Sequence, residues 1–366
     1  MNITQHFDFD RGLAVISPQG LQKYTERLDS YSQILTQLYV SSANNINKYC
    51  IDSCWESGNI YYVSYDNGYV KKIQFDGTEI ASLSLVNPLM VSVIQYSTGM
   101  SVTVNFPPQN DQGCWIADKG SGKIIKTDNN LNIMAELEGI DNPVALIADI
   151  DGGCYVVEEH TFPSVGGNLI KVSSDAEVLG VKPYSSFSPS VVKFIDIAVD
   201  SAGWVWFCAD DKLFNLTYSS GQLNQQYVLN PLGSDDPFSS SSSEPFIEET
   251  KHIGSIDTDR NNLSRHLYVA GGNGSEAFIL KYNPESGSLL ARKQYYDISF
   301  PYIVKVVQGM GSDSLYILED SAKWDDYGYG SSSSSSSSSS TEWKSSSSSS
   351  SKSSSTSESS SSSSSL

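Results

Sequence analysis

Three short stretches of the chain hold side chains of the right type for chemistry. The first is Gly120-Ser121-Gly122-Lys123, which could be the tail of a phosphate-cradling loop. Such a loop needs a glycine five residues before Gly122 and a hydroxyl directly after the lysine, to wrap the anion and hold magnesium. Ala117 and Ile124 occupy those places, and the lysine leads into an apolar run that reads as a strand rather than a helix opening on a phosphate. The second is Glu158-Glu159-His160, where an imidazole beside two carboxylates could serve as general base with its pKa raised by them; Glu159 and His160 are the candidate catalytic pair. His6, His252 and His266 have no comparable setting in the sequence. The third is Cys50 and Cys54, a CxxxC with no second pair and no histidine at zinc spacing, from which no zinc site is expected. With Cys114, Cys154 and Cys208 the cysteines number 5, an odd count, and a small buried hydrophobe is their expected role.

The elements that must position these residues emerge when GCWIADKGSGKIIKTDNN is laid beside the rest of the chain. Stretches starting at Arg11, Gly58, Gly153, Gly203 and Arg265 have the same order: an aromatic and aliphatic run, a turn rich in Gly, Asp or Asn, and a second run ending in Lys or Asn. That is a repeated β-hairpin, and Gly120 to Lys123 becomes one of its turns. The second run carries Lys23, Lys72, Lys126, Lys171, Asn215 and Lys281, spaced by 44 to 66 residues, and a proline precedes most copies: Pro88, Pro143, Pro189, Pro245 and Pro301. Rising strands of the hairpin can be placed at 13–17, 60–65, 114–118, 154–159, 205–210, 267–271 and 315–320. Apolar runs at 144–150, 194–200 and 303–309 read as the innermost strand of a repeat. Periods in the forties with several short strands each predict an all-β fold, a β-propeller of six or seven blades over residues 1–325. The N-terminus either completes the final blade or leaves it to be closed by chain beyond Leu366.

In that arrangement the loop after each rising strand emerges on one face. Asp66, Asp118, Glu158, Glu159, His160, Asp210, Asp211, Glu319 and Asp320 then stand around a common rim. Hard cations want several carboxylate oxygens, which makes Asp118, Glu158, Asp210 and Glu319 the candidate ligands of a calcium or magnesium ion. The same acids also belong to the repeat, where a carboxylate caps a turn by bonding to backbone N–H groups, and that role is the expected one.

Residues 331–366 are nearly all serine, and 326–366 form the expected disordered linker, since nothing in the serine run can bury enough surface to offset its ordering entropy. A further module beyond the linker is expected. Acids outnumber bases by 42 to 23, and the formal charge of −19 argues against nucleic acid and anionic membrane as partners. No basic segment followed by an apolar run opens the chain, and no stretch has the uninterrupted apolar length of a membrane helix. A cytoplasmic or a surface- or virion-associated location fits these features.

The unit from Asn142 to Lys171, NPVALIADIDGGCYVVEEH…GGNLIK, and its counterpart FIDIAVDSAGWVWFCADDKLFNLTYSSG share a pattern. It runs inner strand, Asp-x-x-Gly turn, aromatic strand, acid, further strand. This resembles the NHL-type propellers and the related gluconolactonase-like and streptogramin-lyase-like enzymes. The resemblance implies the fold across residues 11–320. It also implies a second possibility for function, a metal-dependent hydrolase or lyase, although the metal-ligand and histidine–glutamate motifs of those enzymes have no residue-by-residue match here. The first expectation is non-catalytic: a rigid acidic face that binds a protein or a glycan, on a monomeric propeller or a module of a larger chain, with no cofactor.

Overall fold

The computed structural model describes residues 4–8, 12–16, 48–54, 59–64, 67–74, 78–94, 112–160, 166–232, 251–258, 266–273, 276–295, 301–309 and 312–319. The chain divides into two units, Met1–Ser331 and Ser332–Leu366. The serine-rich stretch lies outside the described residues, as do Lys23, Asp66, Pro245 and Asp320.

The fold is all-β. Two strands open the chain, β1 (Thr4–Asp8) and β2 (Gly12–Ile16). Sheet 1 follows, with β3 (Ile51–Ser53), β4 (Ile60–Ser64), β5 (Tyr69–Ile73) and β6 (Glu79–Ser84). Sheet 2 holds β7 (Pro88–Val93), β8 (Cys114–Asp118), β9 (Lys123–Thr127) and β10 (Ile133–Glu138). Sheet 3 holds β11 (Pro143–Ala148), β12 (Cys154–His160), β13 (Gly166–Val172) and β14 (Val178–Pro183). Sheet 4 holds β15 (Phe194–Val199), β16 (Val205–Ala209), β17 (Lys212–Ser219) and β18 (Gln222–Leu229). Sheet 5 holds β19 (His252–Thr258), β20 (Leu267–Asn273), β21 (Glu276–Tyr282) and β22 (Leu289–Tyr295). Sheet 6 is closed from both ends of the fold, in the order β2-β1-β24-β23, with β23 (Pro301–Gly309) and β24 (Ser312–Glu319). Among the described residues there are thus six four-stranded antiparallel sheets. Their first strands β3, β7, β11, β15, β19 and β23 are neighbours in that order, an arrangement consistent with a β-propeller.

Burial explains why the rising strands were legible. Strands β8 and β16, flanked by sheets on both faces, are buried at every residue, so CWIA and VWFCA are apolar without alternation and only Asp118, closing β8, is charged. The fourth strands β6 and β10 are at the outer edge and alternate exposed with half-buried residues. Prolines 88, 143 and 301 are the first residues of β7, β11 and β23, where a missing N–H costs least. All five cysteines are buried, as expected for small core residues.

One repeat placement is corrected. The 13–17 stretch is not a rising second strand. As β2 it pairs only with β1 and forms the outer edge of the sheet whose second strand is β24, so the first and last of the placed copies fall in a single sheet. The register shows what set it apart. In every sheet one level carries an aromatic on the second strand: Tyr61, Trp115, Tyr155, Trp206, Tyr268 and Tyr316. Opposite it on the third strand stand Lys72, Lys126, Lys171, Asn215, Lys281 and, in sheet 6, His6 rather than Lys23. LAVIS has no aromatic, and its Ala14 faces His6 as a fourth-strand residue.

Candidate functional site

The second-to-third-strand turns and the loops leading into each first strand share one end of the sheets, here called the rim. In sheet 2 the rim turn is Lys119 to Gly122, between β8 and β9. Gly122 has φ +67°, and a Cβ on Gly120 would lie 2.7 Å from Val86 Cγ1, so the glycines serve the turn and its packing. Lys123 pairs across the outer strands with Glu136 at 2.8 Å and Glu138 at 3.1 Å. The GSGK tetrapeptide is a hairpin turn.

The rim acids sit where the repeat predicts and bond as turn and loop anchors. Asp118, at the end of β8 and 1 % exposed, accepts the Asn87 N–H at 2.7 Å on Oδ1, and the Val86 N–H at 3.3 Å and the Ser121 hydroxyl at 2.8 Å on Oδ2. Asp210 repeats this, accepting from the Lys193 N–H at 2.9 Å and the Val192 N–H at 2.8 Å. Glu158 accepts the Asp141 N–H at 3.1 Å. Each carboxylate grips the chain just before it enters the first strand of its own sheet. Asp210 and Asp211 form a two-residue hairpin loop with φ +49° and +58°, the left-handed backbone that acidic residues tolerate better than most. Among the described residues no group of three or more His, Cys, Asp or Glu is placed to hold a metal ion. Glu319 ends β24 opposite Pro301, and its side chain lies outside the described residues.

Glu159 and His160 are adjacent on β12, so the pleat sends their side chains to opposite faces. His160 is exposed, and its Nε2 is 2.9 Å from the Asn168 amide nitrogen on β13. Glu159 is half-buried on the side of sheet 4. Burial pushes its carboxyl above the usual range, while the Phe194 N–H, the Tyr184 hydroxyl and the Lys193 charge pull it back. The two neighbours in sequence therefore stand on opposite faces of the sheet.

Two constellations were not visible in the sequence. His252, which opens β19 and is 8 % exposed, places Nδ1 2.6 Å from Asp211 Oδ2, and Asp211 Oδ1 accepts the Ile253 N–H at 2.8 Å. Here a rim acid reaches the next sheet instead of its own. The partners are 41 residues apart, and no local pattern announces them. The second lies among the first strands. Tyr49, on the 3-10 turn Lys48–Cys50, donates its hydroxyl to buried Asp196, which also accepts from Ser255 Oγ at 2.6 Å and from the Ile256 and Ile197 N–H groups, both at 2.7 Å. Burial, then the Asp196 charge, drive the Tyr49 phenol well above its ordinary pKa, so it stays a hydrogen-bond donor. Asp52 similarly accepts the Val93 N–H at 2.8 Å and the Ser92 hydroxyl at 3.3 Å, and Ser92 Oγ accepts the Ala148 N–H at 2.9 Å. These polar residues stitch neighbouring first strands together.

No protein-family model matches the chain, and no curated protein matches it in sequence. Its neighbours among solved structures include a gluconolactonase and a virginiamycin B lyase. One is a gluconolactonase from Xanthomonas campestris, with 10% identity, 74% of this chain and 86% of that chain covered, and a TM-score of 0.43. Another is a catalytically inactive virginiamycin B lyase from Staphylococcus aureus with quinupristin, with 10% identity, 86% and 87% covered, and a TM-score of 0.43. A protein from Lactobacillus plantarum has 11% identity, 83% and 86% covered, and a TM-score of 0.44. Overlaps of this size pass no activity to this chain, and its propeller-like fold is read from its own sheets.

Proposed function

We propose that the protein is a non-catalytic interaction module that binds a protein or glycan through its acidic rim. It acts as a monomeric propeller or as one module of a larger surface, virion or multidomain protein, without a cofactor. The observation that supports this reading is the way the rim acids, Asp118 buried and Asp210 half-buried, hold apolar side chains outward. Val86 and Val192 each stand two residues before the first strand of their sheets, and they are 62% and 71% exposed. Both have their N–H groups clamped, by Asp118 and Asp210 respectively. Exposed apolar groups on a preorganised backbone lose little entropy on binding, which favours recognition. The immobilised protein, screened on a glycan microarray and against a displayed peptide library, should yield a ligand whose binding is lost in Val86→Asp/Val192→Asp at unchanged Tm. Ligands indifferent to both valines would overturn the assignment of the face.

The alternative, a metal-dependent hydrolase or lyase, draws on Glu159, the rim carboxyl that burial raises. It requires a Tm gain of many degrees at micromolar calcium or magnesium, lost in Asp118→Asn, together with turnover of a lactone or ester. The interaction reading expects neither.

A further inference from the structure

The level of aromatics and lysines also joins sheet 1 to sheet 2 and sheet 2 to sheet 3. Lys72 Nζ lies 5.2 Å from the centroid of the Tyr61 ring and donates to the Asn129 carbonyl at 2.8 Å. Lys126 Nζ lies 5.7 Å from the Trp115 ring and donates to the Ser174 carbonyl at 2.9 Å. Asn129 and Ser174 occupy the same place, the second residue of the turn between third and fourth strands of the following sheet. A side chain at the first turn residue orients each: Asp128 Oδ1 accepts the Asn130 and Asn132 N–H groups, and Ser173 Oγ accepts those of Asp175 and Glu177. The fourth-strand residue facing each of these lysines is small: Ala81 opposite Lys72 and Ala135 opposite Lys126. Lys171 and Lys281 likewise face Gly180 and Ala291.

Sheet 4 departs at both positions together. Its third strand carries Asn215 and its fourth strand, directly opposite, carries Tyr227. The Tyr227 ring packs edge-on against Trp206 with centroids 5.7 Å apart, and its hydroxyl donates to the Pro284 carbonyl. Pro284 is again the second residue of a third-to-fourth-strand turn in the following sheet, and Asn283 Oδ1 orients that turn through the Glu285 and Ser286 N–H groups.

We infer that Tyr227 is a relocated latch: its hydroxyl, coming from the fourth strand, holds sheet 4 to sheet 5 at the turn position that a third-strand lysine ammonium grips between sheets 1 and 2 and between sheets 2 and 3. The exchange is a matched pair, because a lysine at 215 and a tyrosine at 227 would compete for the same space beside Trp206. It also has a visible cost. The Asn215 amide, fully buried, has neither its nitrogen nor its oxygen in a hydrogen bond, and the buried Trp206 Nε1 meets no acceptor. In sheet 2 the matching indole, Trp115, donates to the Gly152 carbonyl at 3.1 Å.

A double-mutant cycle on the full chain tests the inference, read by urea unfolding. Tyr227→Phe should raise the unfolding constant about tenfold, the usual worth of one hydrogen bond. Tyr227→Ala should raise it further, and Asn215→Lys alone should raise it through crowding and an ungripped buried cation. Asn215→Lys with Tyr227→Ala restores the lysine-and-small-residue pair, and its unfolding constant should fall at least tenfold below the product of the single effects. Additive effects in the double variant would overturn the inference. Should a single variant fail to fold, the inference stands on recovery of folding in the double variant together with the Tyr227→Phe loss, and absence of that loss would also overturn it.

Discussion

The two ends of the sheets carry the same kind of repeat to opposite purposes. At the rim a carboxylate turns back on its own sheet: Asp118 and Asp210 hold main-chain N–H groups 17 to 32 residues away in sequence. At the other end a cation crosses to the next sheet, as Lys72 and Lys126 do over 57 and 48 residues. A short acidic side chain with two acceptor oxygens suits a loop whose N–H groups point at it. A long donor that can lie on an aromatic ring suits a gap between sheets. The rim thus shapes loops, and the opposite end holds the sheets together. Asp211 and Glu159 depart from this, Asp211 bonding to His252 and Ile253 of sheet 5 and Glu159 meeting the Phe194 N–H of sheet 4.

The largest loss at that end should come from Lys171, whose partners lie in its own sheet 3 instead of the next. Lys171 is fully buried between Asp149 at 2.5 Å and Asp151 at 2.8 Å, with its ammonium 4.6 Å from the Tyr155 centroid. Lys171→Met leaves the Asp149 carboxylate buried without its cation and should cost about 3–5 kcal/mol in urea unfolding, as broken buried pairs do. Adding Asp149→Asn should recover part of the loss. A Lys171→Met protein of wild-type stability would mean that the lysine level contributes nothing to the hold of this end.

A smaller effect, local in character, is expected at the rim. Asp118→Ala strands the N–H groups of Val86 and Asn87 and should cost about 1–3 kcal/mol. Hydrogen exchange should quicken at those two amides while the β9–β10 turn and its contacts keep their protection. Loss of protection spread evenly through sheet 2 would mean that the rim acid also carries the sheet.

The smallest effects are on pH dependence, and they have opposite signs at the two ends. Burial raises the Glu159 carboxyl at the rim. Its folded form therefore holds a proton more readily than the unfolded chain, and the stability it contributes is present below the unfolded value of about 4.3 and lost as pH rises through the folded value. Glu159→Gln should gain on wild type as the pH is taken from 4 to 7. For Asp128, burial works against ionisation, but hydrogen bonds from the Asn132 side chain and the Asn132 and Asn130 N–H groups, with the nearby Lys72 charge, hold the carboxyl below its usual value. That contribution is present above the unfolded value of about 3.9 and is lost as pH falls through the folded one. Asp128→Asn should flatten the acid limb of the Tm curve slightly. Shifts of the same sign in both variants would erase the contrast.

What was legible in the sequence follows from the same physics. Second strands flanked by sheets on both sides carry at least four apolar residues in succession, and the runs starting at 60, 114, 154, 205, 267 and 315 all start on second strands. The runs at 144–150, 194–200 and 303–309 fall on first strands. The recurring lysine was a true register mark because it faces the aromatic. LAVIS misled because an edge strand can match a core strand in length and apolar content, and only the missing aromatic separates them. The rim acids could be placed, but their partners could not, since a backbone N–H carries no residue identity. Asp211 with His252 and Tyr49 with Asp196 join residues 41 and 147 positions apart, and each would look ordinary when read along the chain.

The closing sheet also decides how the domain answers to mechanical load. Thr4 pairs with Leu318, so the start of β1 and the end of β24 lie side by side, and the two strands run antiparallel from there. Tension applied through residues 4 and 319 would therefore peel the ladder open from its first rung, breaking its bonds in succession instead of shearing them all at once. Sheets 1 to 5 lie off the line of force. The domain behaves as a pendant with a soft clasp, one that opens under modest pull while the latches of sheets 1 to 3 and of sheets 4 and 5 stay closed.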